Sequence, residues 1–544
     1  MIGTTGIMLV SLLTAHSAAA AAASASAPPH IVTVIADDYG WGNVGYHRDS
    51  DPTKEVVTPR IDELARSGLQ LTRHYAYRYC SPSRSAFQSG RLPVHVNTRN
   101  AEPTVYNPDD KVGGYAGIPV NMTCIANKLK VAGFATHMTG KWDCGMATPR
   151  HGPRGRGYDT WLGYFHHAND YWTERLPFQS TGTVDVCGNK YVDLWRDEAP
   201  ASDLNGTAYE DELFANHSLA TIAAHDPARA PLFLVHAFHV VHTPLEVPDD
   251  YLRRFDFIPY ENRRRYAAMV NYMDGVVGKL VDALRRKQMW DDTLMLFFSD
   301  NGGPVYYPGS ANNHPLKGGK LSDWEGGVRV NAFLAGGALP PHARGKKLDA
   351  LVHVADWYAT FAALAGIQDP TADAEAAAAG LPAVDSVNVW PLIADAKAFL
   401  PGGAASPRTE VQLSSQALIQ RGGGGELYKL ITGWMTSSGW TGPSYPNRTG
   451  HQPLPSPTDK YPPLMLDTWA HDCGEPGCLY DVAADETEHH NLAEALPDVA
   501  RKLKARLDEL NKANYDPDRG AGDPAACRAA ERYGGFYGPF VFES

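Results

Sequence analysis

Two pairs of side chains suited to binding hard cations follow apolar runs in this 544-residue chain. Asp37 and Asp38 close the run Ile-Val-Thr-Val-Ile-Ala, and Asp300 and Asn301 close the run Thr-Leu-Met-Leu-Phe-Phe-Ser. Oxygen donors without histidine or thiolate favour Ca2+ or Mg2+ over zinc. A lone Asp-Asp pair is more often a turn or a helix cap. Two such pairs after apolar runs predict a metal site.

Cys80 lies in the most specific segment, Tyr-Cys-Ser-Pro-Ser-Arg-Ser-Ala-Phe-Gln-Ser-Gly-Arg. The chain has seven cysteines, so in an oxidising compartment six can pair and one is left over. Such a leftover cysteine calls for a chemical explanation. For the short motif alone, the ordinary alternative is a disulfide cysteine in a turn.

The elements that must position these residues are apolar strands separated by a helix. The runs at 31–36, 231–235 and 293–298 predict strands buried on both faces. Between the last two, a long amphipathic helix is predicted by apolar residues at three- and four-residue spacing: Tyr266, Met269, Val270, Met273, Val277, Leu280 and Leu284. Helix alternating with strand indicates an α/β sheet, which places ligands at the carboxyl ends of its strands.

A smaller unit is predicted after about Pro401, where the amino-acid composition of the chain changes. Four consecutive glycines and a proline-rich patch occur there, with a predicted strand at 427–431 and a predicted helix from Pro497 to about Asn514. We expect an α+β unit with antiparallel strands. The predicted division is a leader at 1–27, a catalytic domain at 28–405 and a smaller domain at 406–544.

The Cys80 segment resembles the sulfatase signature C-x-P-S-R, followed by a short helix and Gly-Arg. Further blocks resemble sulfatase motifs in the right order, and they include Thr58-Pro59-Arg60, Gly140-Lys141-Trp142, Ser299-Asp300-Asn301-Gly302-Gly303, Trp324-Glu325-Gly326-Gly327, His353-Val354-Ala355-Asp356 and Leu479-Tyr480-Asp481. The resemblance covers nearly all of the chain after the leader and is closest to the arylsulfatase B, or N-acetylgalactosamine 4-sulfatase, branch. It implies an alkaline-phosphatase-like α/β fold with a central mixed, mostly parallel sheet flanked by helices.

The resemblance also implies a role for each site residue. Cys80 would be oxidised to formylglycine by a formylglycine-generating enzyme, and Arg84 would steady the modified residue. Ca2+ would be held by Asp37, Asp38, Asp300 and Asn301, with an oxygen of modified residue 80. Lys141 and Lys320 would clamp the sulfate, and His242 would face the leaving oxygen. Taken singly, the lysines would be solvated charges and His242 a structural histidine, as we interpret His236, His239 and His314.

Asp143 departs from the family pattern, which reads Gly-Lys-Trp-His where this chain has Gly-Lys-Trp-Asp. The family histidine is thought to hydrogen-bond the modified residue and to assist release of sulfate. An aspartate accepts the same proton but adds negative charge near the incoming anion. Slow turnover, a shifted pH optimum, an altered substrate or loss of activity would follow.

The remaining six cysteines, once Cys80 is modified, form an even set: Cys124, Cys144, Cys187, Cys473, Cys478 and Cys527. Three disulfides are expected, with Cys473 to Cys478 as the local pair. The run Arg263-Arg264-Arg265 is interpreted as a solvated helix face, with a grip on polyanionic sugar chains as the alternative.

The leader and four sequons indicate the secretory route. A short apolar stretch and an alanine-rich run precede Pro28, which fits a cleaved signal peptide, with a disordered leader as the alternative. Predicted glycosylation sites are Asn121, Asn205, Asn216 and Asn447. We expect an extracellular or lysosome/vacuole-like protein without stable membrane insertion. A net charge of -12 argues against a nucleic-acid partner.

The predicted function is hydrolysis of a sulfate monoester on a carbohydrate. The rival within the same superfamily is a phosphate or phosphonate ester hydrolase, which the two lysines disfavour. The rival of another class is a weakly active or non-catalytic binder of sulfated glycans, because of Asp143.

Overall fold

The chain is described by a computed structural model at residues 27–48, 54–100, 102–176, 185–306, 308–400, 406–442 and 470–542. Residues 1–26 of the predicted leader and the predicted glycosylation site Asn447 lie outside these ranges. No helix within them combines the length and the apolar character that crossing a membrane requires.

The strands of the described residues fall mainly into two sheets. In chain order they are β1 (His30–Ala36), β2 (Leu69–Leu71), β3 (His74–Tyr75), β4 (Val105–Tyr106), β5 (Ala135–Lys141), β6 (Thr160–Tyr164), β7 (Trp195–Arg196), β8 (Ala199–Pro200), β9 (Leu232–Ala237) and β10 (Thr293–Ser299). There follow β11 (Ala332–Ala335), β12 (Lys346–Leu348), β13 (Val352–His353), β14 (Glu410–Gln412), β15 (Ala417–Arg421), β16 (Leu427–Ile431), β17 (Trp434–Met435), β18 (His471–Asp472), β19 (Cys478–Asp481) and β20 (Ala521–Gly522).

The α-helices flank these sheets. They are α1 (Pro59–Ser67), α2 (Cys80–Ser89), α3 (Ile125–Val131), α4 (Glu210–Ala224), α5 (Asp249–Leu252), α6 (Glu261–Arg286), α7 (Glu325–Val328), α8 (Asp356–Leu364), α9 (Ala374–Ala378), α10 (Trp390–Ala394), α11 (Pro497–Asn511) and α12 (Pro524–Arg532).

The large sheet has the order β12-β2-β11-β10-β1-β9-β5-β6-β7-β8. Its five central strands, β10, β1, β9, β5 and β6, are all parallel, and antiparallel pairs occur toward both edges. The three predicted strands form the middle of this sheet. The predicted mixed, mostly parallel sheet is therefore confirmed.

Successive side chains of β1 pack into separate apolar cores on the two faces of the sheet. Val32 and Val34 contact the core that contains the apolar stripe of α6, whereas Ile31 and Ile35 belong to the core under α2 and α8. Burial on both faces is the reason these strands are continuously apolar.

Arg263 corrects the interpretation of the basic run on α6. Its side chain is buried, its Nε lies 2.6 Å from a Glu55 carboxylate oxygen, and it donates to the Ser310 carbonyl oxygen at 2.9 Å. Arg264 and Arg265 are only half-buried. A run of three adjacent residues on a helix cannot share one face, so the first turns inward.

The small sheet is antiparallel, with the order β14-β15-β16-β19. The predicted strand at 427–431 is β16. Helix α11 packs on this sheet through Ala500, Leu503 and Leu507, and it ends at Asn511, three residues before the predicted end. The predicted antiparallel strands of the smaller unit are confirmed, whereas the predicted domain boundary after residue 405 stays a prediction.

The disulfides differ from the predicted set. Cys473 pairs with Cys478 as expected, and Cys187 pairs with Cys527. The predicted third bridge is wrong, because Cys124 and Cys144 are free buried thiols. Each sulfur has another neighbour: Arg156 Nε lies 3.2 Å from the Cys124 sulfur, and Ser85 Oγ lies 3.9 Å from the Cys144 sulfur.

The three described sequons differ in exposure. Asn216 is exposed on α4, and Asn121 is half-buried. The Asn205 amide nitrogen donates to the Thr173 carbonyl at 2.8 Å and to Glu174 at 2.5 Å, and a glycan on that nitrogen would disturb both contacts. Glycosylation at these positions stays a prediction.

Candidate active site

The two acidic pairs meet at one edge of the large sheet. Strands β1 and β10 are parallel neighbours, with Ala36 opposite Ser299, so the residues that follow them are adjacent. The Asp38 backbone nitrogen donates to an Asp300 carboxylate oxygen at 3.2 Å, and the Asn301 amide nitrogen donates to an Asp38 oxygen at 2.7 Å. Asp37, Asp38, Asp300 and Asn301 are all buried.

Cys80 enters this site as the first residue of α2. Its Sγ lies 3.5 Å from Asp37 Oδ1, it is fully buried, and it forms no disulfide. Burial and the neighbouring Asp37 charge raise the pKa of the thiol well above its usual value. All ten residues of α2 are buried, so the position of Cys80 is fixed by packing.

Arg84 lies one turn after Cys80 on the same face of α2. Its guanidinium contacts Asp300 at 2.8 and 3.0 Å and Asp37 at 3.3 Å, and it donates to the Lys141 carbonyl oxygen at 3.2 Å. The guanidinium thus joins α2 to the carboxyl ends of β1, β10 and β5.

Two lysines complete the cationic side of the site. Lys141, the last residue of β5, places its Nζ 2.5 Å from Asp37 Oδ2. Lys320 places its Nζ 2.8 and 2.9 Å from the two oxygens of Asp38. Both side chains are buried. Burial alone would lower the pKa of each ammonium, but the adjacent aspartates raise it above its usual value.

His242 faces the same carboxylates after β9. Its Nε2 lies 3.6 Å from Asp38 Oδ2, and its Nδ1 lies 2.6 Å from the Thr243 carbonyl oxygen. A carbonyl accepts only, so Nδ1 carries a proton and Nε2 of the neutral ring faces the site without one. Burial, Lys320 and Lys141 lower the pKa of His242 well below its usual value.

Asp143 lies two residues beyond Lys141 and is fully buried, with a φ of 51°. One carboxylate oxygen accepts a hydrogen bond from Ser81 Oγ at 2.6 Å, and the other lies 3.8 Å from Lys141 Nζ and accepts no hydrogen bond from a described residue. Burial raises the pKa of Asp143 although Lys141 opposes the shift. The departure from the family pattern is therefore inside the site, next to the segment that holds Cys80.

The three carboxylates differ in how strongly the site stabilises their charged form. Burial would raise the pKa of Asp37, but Lys141, Arg84 and Lys320 together hold it below its usual value. Burial raises the pKa of Asp38, and burial with the Asp37 charge raises that of Asp300 to about 7. Three carboxylates this close repel one another, and a cation between them relieves the repulsion.

The donor set fits a hard divalent cation. Asn301 Oδ1 is buried and accepts no hydrogen bond from the part of the chain that the structure describes, so a buried acceptor oxygen beside Asp38 lacks a partner there. Ligand atoms of Asp37, Asp38, Cys80 and His242 all lie within 4.8 Å of one another. Carboxylate and amide oxygens are the ligands that Ca2+ and Mg2+ prefer.

The other histidines named from the sequence have structural contacts. His236 Nδ1 lies 2.8 Å from Ser218 Oγ, and His239 Nδ1 lies 2.9 Å from Glu210 while its ring stacks on Tyr171. His314 is half-buried and follows Asn313 in a loop. These positions agree with the structural interpretation.

Two residues of the site were missed by the sequence reasoning. Ser81 contacts Asp143, and it fills the variable position of C-x-P-S-R. His167 is buried, and Lys141 and Lys320 contribute to lowering its pKa to about 3 after the larger effect of burial. It follows β6, so the rule that ligands lie at the carboxyl ends of parallel strands would have found it.

Comparison with known proteins agrees with this geometry. The family model described as Sulfatase matches residues 29–367. Arylsulfatase J of Mus musculus is 31% identical over 541 residues, which cover 95% of this chain and 81% of that protein. N-acetylgalactosamine-6-sulfatase of Homo sapiens is 29% identical over 375 residues, which cover 67% of this chain and 66% of that protein.

Solved structures show the same fold. The crystal structure of Ps i-CgsB has a TM-score of 0.68 at 24% identity, covering 93% of this chain and 98% of that one. The phosphonate monoester hydrolase of Agrobacterium radiobacter has a TM-score of 0.51 at 17% identity, covering 89% and 95%. The fold and the site define an alkaline-phosphatase-like α/β hydrolase.

The chain belongs to the sulfatase family and is a sulfuric ester hydrolase. The predicted family, fold class and enzyme class are confirmed. The arylsulfatase B branch stays a prediction.

Proposed function

We propose that this protein hydrolyses sulfate monoesters of carbohydrates, with Cys80 converted to formylglycine and Ca2+ held by Asp37, Asp38, Asp300 and Asn301. The observation that carries the proposal is the position of Cys80. Its Sγ is buried, unbridged and 3.5 Å from Asp37, at the edge where β1 and β10 end. A purely structural role for this thiol would not explain the three buried carboxylates and three buried cations around it.

The formylglycine hydrate and Ca2+ would supply the nucleophilic oxygen and the positive charge that favours its ionisation. The chain's own residues prepare the place for them. Arg84 fixes α2 against Asp37 and Asp300, and the packing of the whole helix holds residue 80 still. Such fixed charges need no rearrangement when charge develops on the sulfate.

Lys141 and Lys320 are the groups that bind the anion. They approach from different elements, and their ammonium nitrogens contact Asp37 and Asp38 respectively, of which Asp37 lies 3.5 Å from the Cys80 sulfur. Their raised pKa values keep both positively charged across the physiological range. Two buried positive charges offset the repulsion between an oxygen nucleophile and a sulfate ester.

His242 handles the proton of the leaving alcohol at Nε2. The hydrogen bond from Nδ1 to the Thr243 carbonyl aims Nε2 into the site. To act as a donor, the ring must first become an imidazolium, which Lys320 and Lys141 disfavour. The negative charge of a bound sulfate offsets the two lysines, so the ring gains its proton when substrate is present.

The carbohydrate substrate is supported by what similar proteins bind. The structure of Ps i-CgsB was also solved in complex with k-i-k-neocarrahexaose, and BT4656 was solved with D-glucosamine-2-N,6-O-disulfate. We further propose a formylglycine-generating enzyme as maturation partner, the secretory route to the cell exterior or a lysosome/vacuole-like compartment, and domains at 28–405 and 406–544.

The test combines mass spectrometry with parallel assays. The peptide that contains residue 80 should have the mass of the aldehyde rather than the thiol, and aryl sulfate should be hydrolysed far faster than aryl phosphate. Activity should fall with a calcium chelator and return with Ca2+. Faster hydrolysis of the phosphate ester, or full activity with an unmodified thiol, would contradict the proposal.

A second candidate, a weakly active or non-catalytic binder of sulfated glycans, is favoured by Asp143. Its oxygen without a hydrogen bond lies 3.8 Å from Lys141 Nζ, so it competes with the anion for that charge. Protein shown to carry the aldehyde would then bind a sulfated sugar without releasing sulfate.

A further inference from the structure

A second cluster of metal-binding side chains lies apart from Cys80. Ligand atoms of Glu102, His166 and Asp185 lie within 4.8 Å of one another. Glu102 precedes β4, His166 follows β6, and Asp185 precedes the disulfide cysteine Cys187. Three segments that are distant in the chain thus bring nitrogen and oxygen donors to one point.

His166 is prepared as a ligand. Its side chain is fully buried, and its Nδ1 lies 2.7 Å from Asp193 Oδ2, a carboxylate that also accepts the backbone N–H groups of Phe165 and His166. Asp193 accepts from Nδ1, so in the neutral ring the Nε2 lone pair faces Glu102 and Asp185. A carboxylate behind a histidine is the usual support of a metal-binding imidazole.

Although the Nε2 atom is buried, none of the described residues forms a hydrogen bond with it. The nearest Glu102 oxygen is 4.0 Å away, which is too long for a hydrogen bond. Burying a polar nitrogen without a partner costs free energy of folding, so a ligand bound at this atom would stabilise the folded chain. The ring of Tyr537, 4.6 Å from that of His166, closes one side of the cluster.

The cluster is separate from the site that contains Cys80. It shares no residue with the group formed by Asp37, Asp38, Cys80 and His242.

We propose that Glu102, His166 and Asp185 form a second metal site, which binds a divalent cation of the Zn2+ type. Imidazole with two carboxylates suits zinc, whereas the oxygen donors around Asp37 suit Ca2+. Ligand atoms around tetrahedral zinc lie about 3.5 Å apart, so the cluster must contract. Glu102, whose side chain is 27% exposed and accepts a hydrogen bond from Thr104 Oγ1 at 3.0 Å, is the ligand that would move inward.

The cluster also lies where segments distant in the chain are linked to one another. Strand β4, which follows Glu102, pairs with β20, and Cys187, two residues after Asp185, is bonded to Cys527. A cation here ties the segment after β6 to the two segments that already hold the carboxyl-terminal part of the chain. Zinc binding should therefore raise the melting temperature.

The test uses the full-length protein, stripped with a chelator and supplied with Ca2+ before Zn2+ is titrated. Equilibrium dialysis with elemental analysis should find one Zn2+ per chain in addition to Ca2+. Glu102→Gln and His166→Gln should each lower the zinc affinity at least tenfold and remove the zinc-dependent rise in melting temperature. Zinc affinity and melting are read without any assay of turnover.

Matched controls separate the site from general histidine and carboxylate effects. His236→Gln removes another buried histidine whose Nε2 lacks a partner but whose Nδ1 faces Ser218, and Glu198→Gln removes an exposed carboxylate. Both controls should bind zinc as the unaltered chain does. If His166→Gln fails to fold, the partly exposed Glu102 still tests the site. The proposal is overturned if no such zinc is retained, or if Glu102→Gln leaves the affinity unchanged.

Discussion

Two buried clusters of acids and lysines in this protein have similar composition but different surroundings. The first, the Asp37 cluster, consists of Asp37, Asp38, Asp300, Arg84, Lys141 and Lys320 at the carboxyl edge of the large sheet. The second, the Lys429 cluster, consists of Lys429 on β16 with Glu325 on α7 and Glu488; the lysine Nζ is 2.9 Å from both carboxylates.

The Lys429 cluster joins the small sheet to α7 and β3. Glu325 also accepts a hydrogen bond from the Tyr75 hydroxyl at 3.0 Å, and its backbone nitrogen donates to Glu488 at 2.7 Å. The apolar core beside it combines residues of the small sheet with Tyr75 of β3, with Trp324 and with Val328 of α7. The Asp37 cluster has the unpartnered oxygen of Asn301 and a thiol at its centre. Burial and charge pairing are thus common to both, and so is a buried oxygen without a hydrogen bond from a described residue, Glu488 Oε1 in the Lys429 cluster. The thiol at the nucleophile position is therefore what marks the Asp37 cluster as a site for chemistry.

The largest effect is expected from Cys80→Ala, which removes the precursor of the nucleophile. We expect kcat/KM on an aryl sulfate to fall by about 10^4-fold or more, because loss of the nucleophile removes the covalent route. The melting temperature should change little, since only one sulfur atom is lost from the core. Cys144→Ala, which removes another buried free thiol, is the control and should keep most of the activity.

The variants Lys320→Met and Lys429→Met test the difference between the two clusters directly. Lys429→Met should lower the free energy of unfolding by about 3–5 kcal/mol, because it removes the cation shared by two buried carboxylates and leaves Glu325 the longer contact with Arg329 at 3.7 Å. Lys320→Met should lower turnover by about 10^2- to 10^3-fold, because one of the two positive charges that bind the sulfate is lost. Added Ca2+ should restore the stability of the Lys320 variant only. Urea unfolding with and without Ca2+ measures this, and equal rescue of both variants would remove the distinction between the clusters.

A smaller effect is expected from Asp143→His. The change removes a negative charge 3.8 Å from Lys141 and restores the family residue, so turnover should rise by about tenfold and the pH profile should shift. Asp159→His, at a half-buried position that pairs with Lys130, is the control. An unchanged rate and pH profile would mean that position 143 does not affect the sulfate.

Most of the fold and much of the site could be predicted because the signals were local. Strand β1 is apolar on both faces and ends in two aspartates, so its place in the sheet and the position of Asp37 followed together. Lys320 was located only by its spacing from Glu325 in a family pattern. Nothing in its own neighbourhood distinguishes it from a surface lysine.

What could not be predicted depends on contacts between distant segments. Arg263 looked like part of a solvated run, but Glu55 and Ser310, remote in the chain, draw it inward. An even count of cysteines suggested a third bridge, yet Cys124 and Cys144 face Arg156 and Ser85 instead. Counting and periodicity carry no information on such partners.

The smallest effect concerns the pH dependence of the Lys429 cluster. Burial raises the pKa of Glu488 to about 7, above its ordinary value of 4.5. A raised folded-state pKa means that the stability contribution is complete below about pH 4.5 and is lost as pH rises through 7. Glu488→Gln, which resembles the protonated acid, should therefore reduce the decline in unfolding free energy between pH 5 and 8 by about 1–2 kcal/mol. Urea unfolding at both pH values measures it, with the exposed Glu475→Gln as control. If the variant declines as steeply as the unaltered chain, Glu488 is already ionised at pH 5 and the Lys429 cluster carries its full charge throughout.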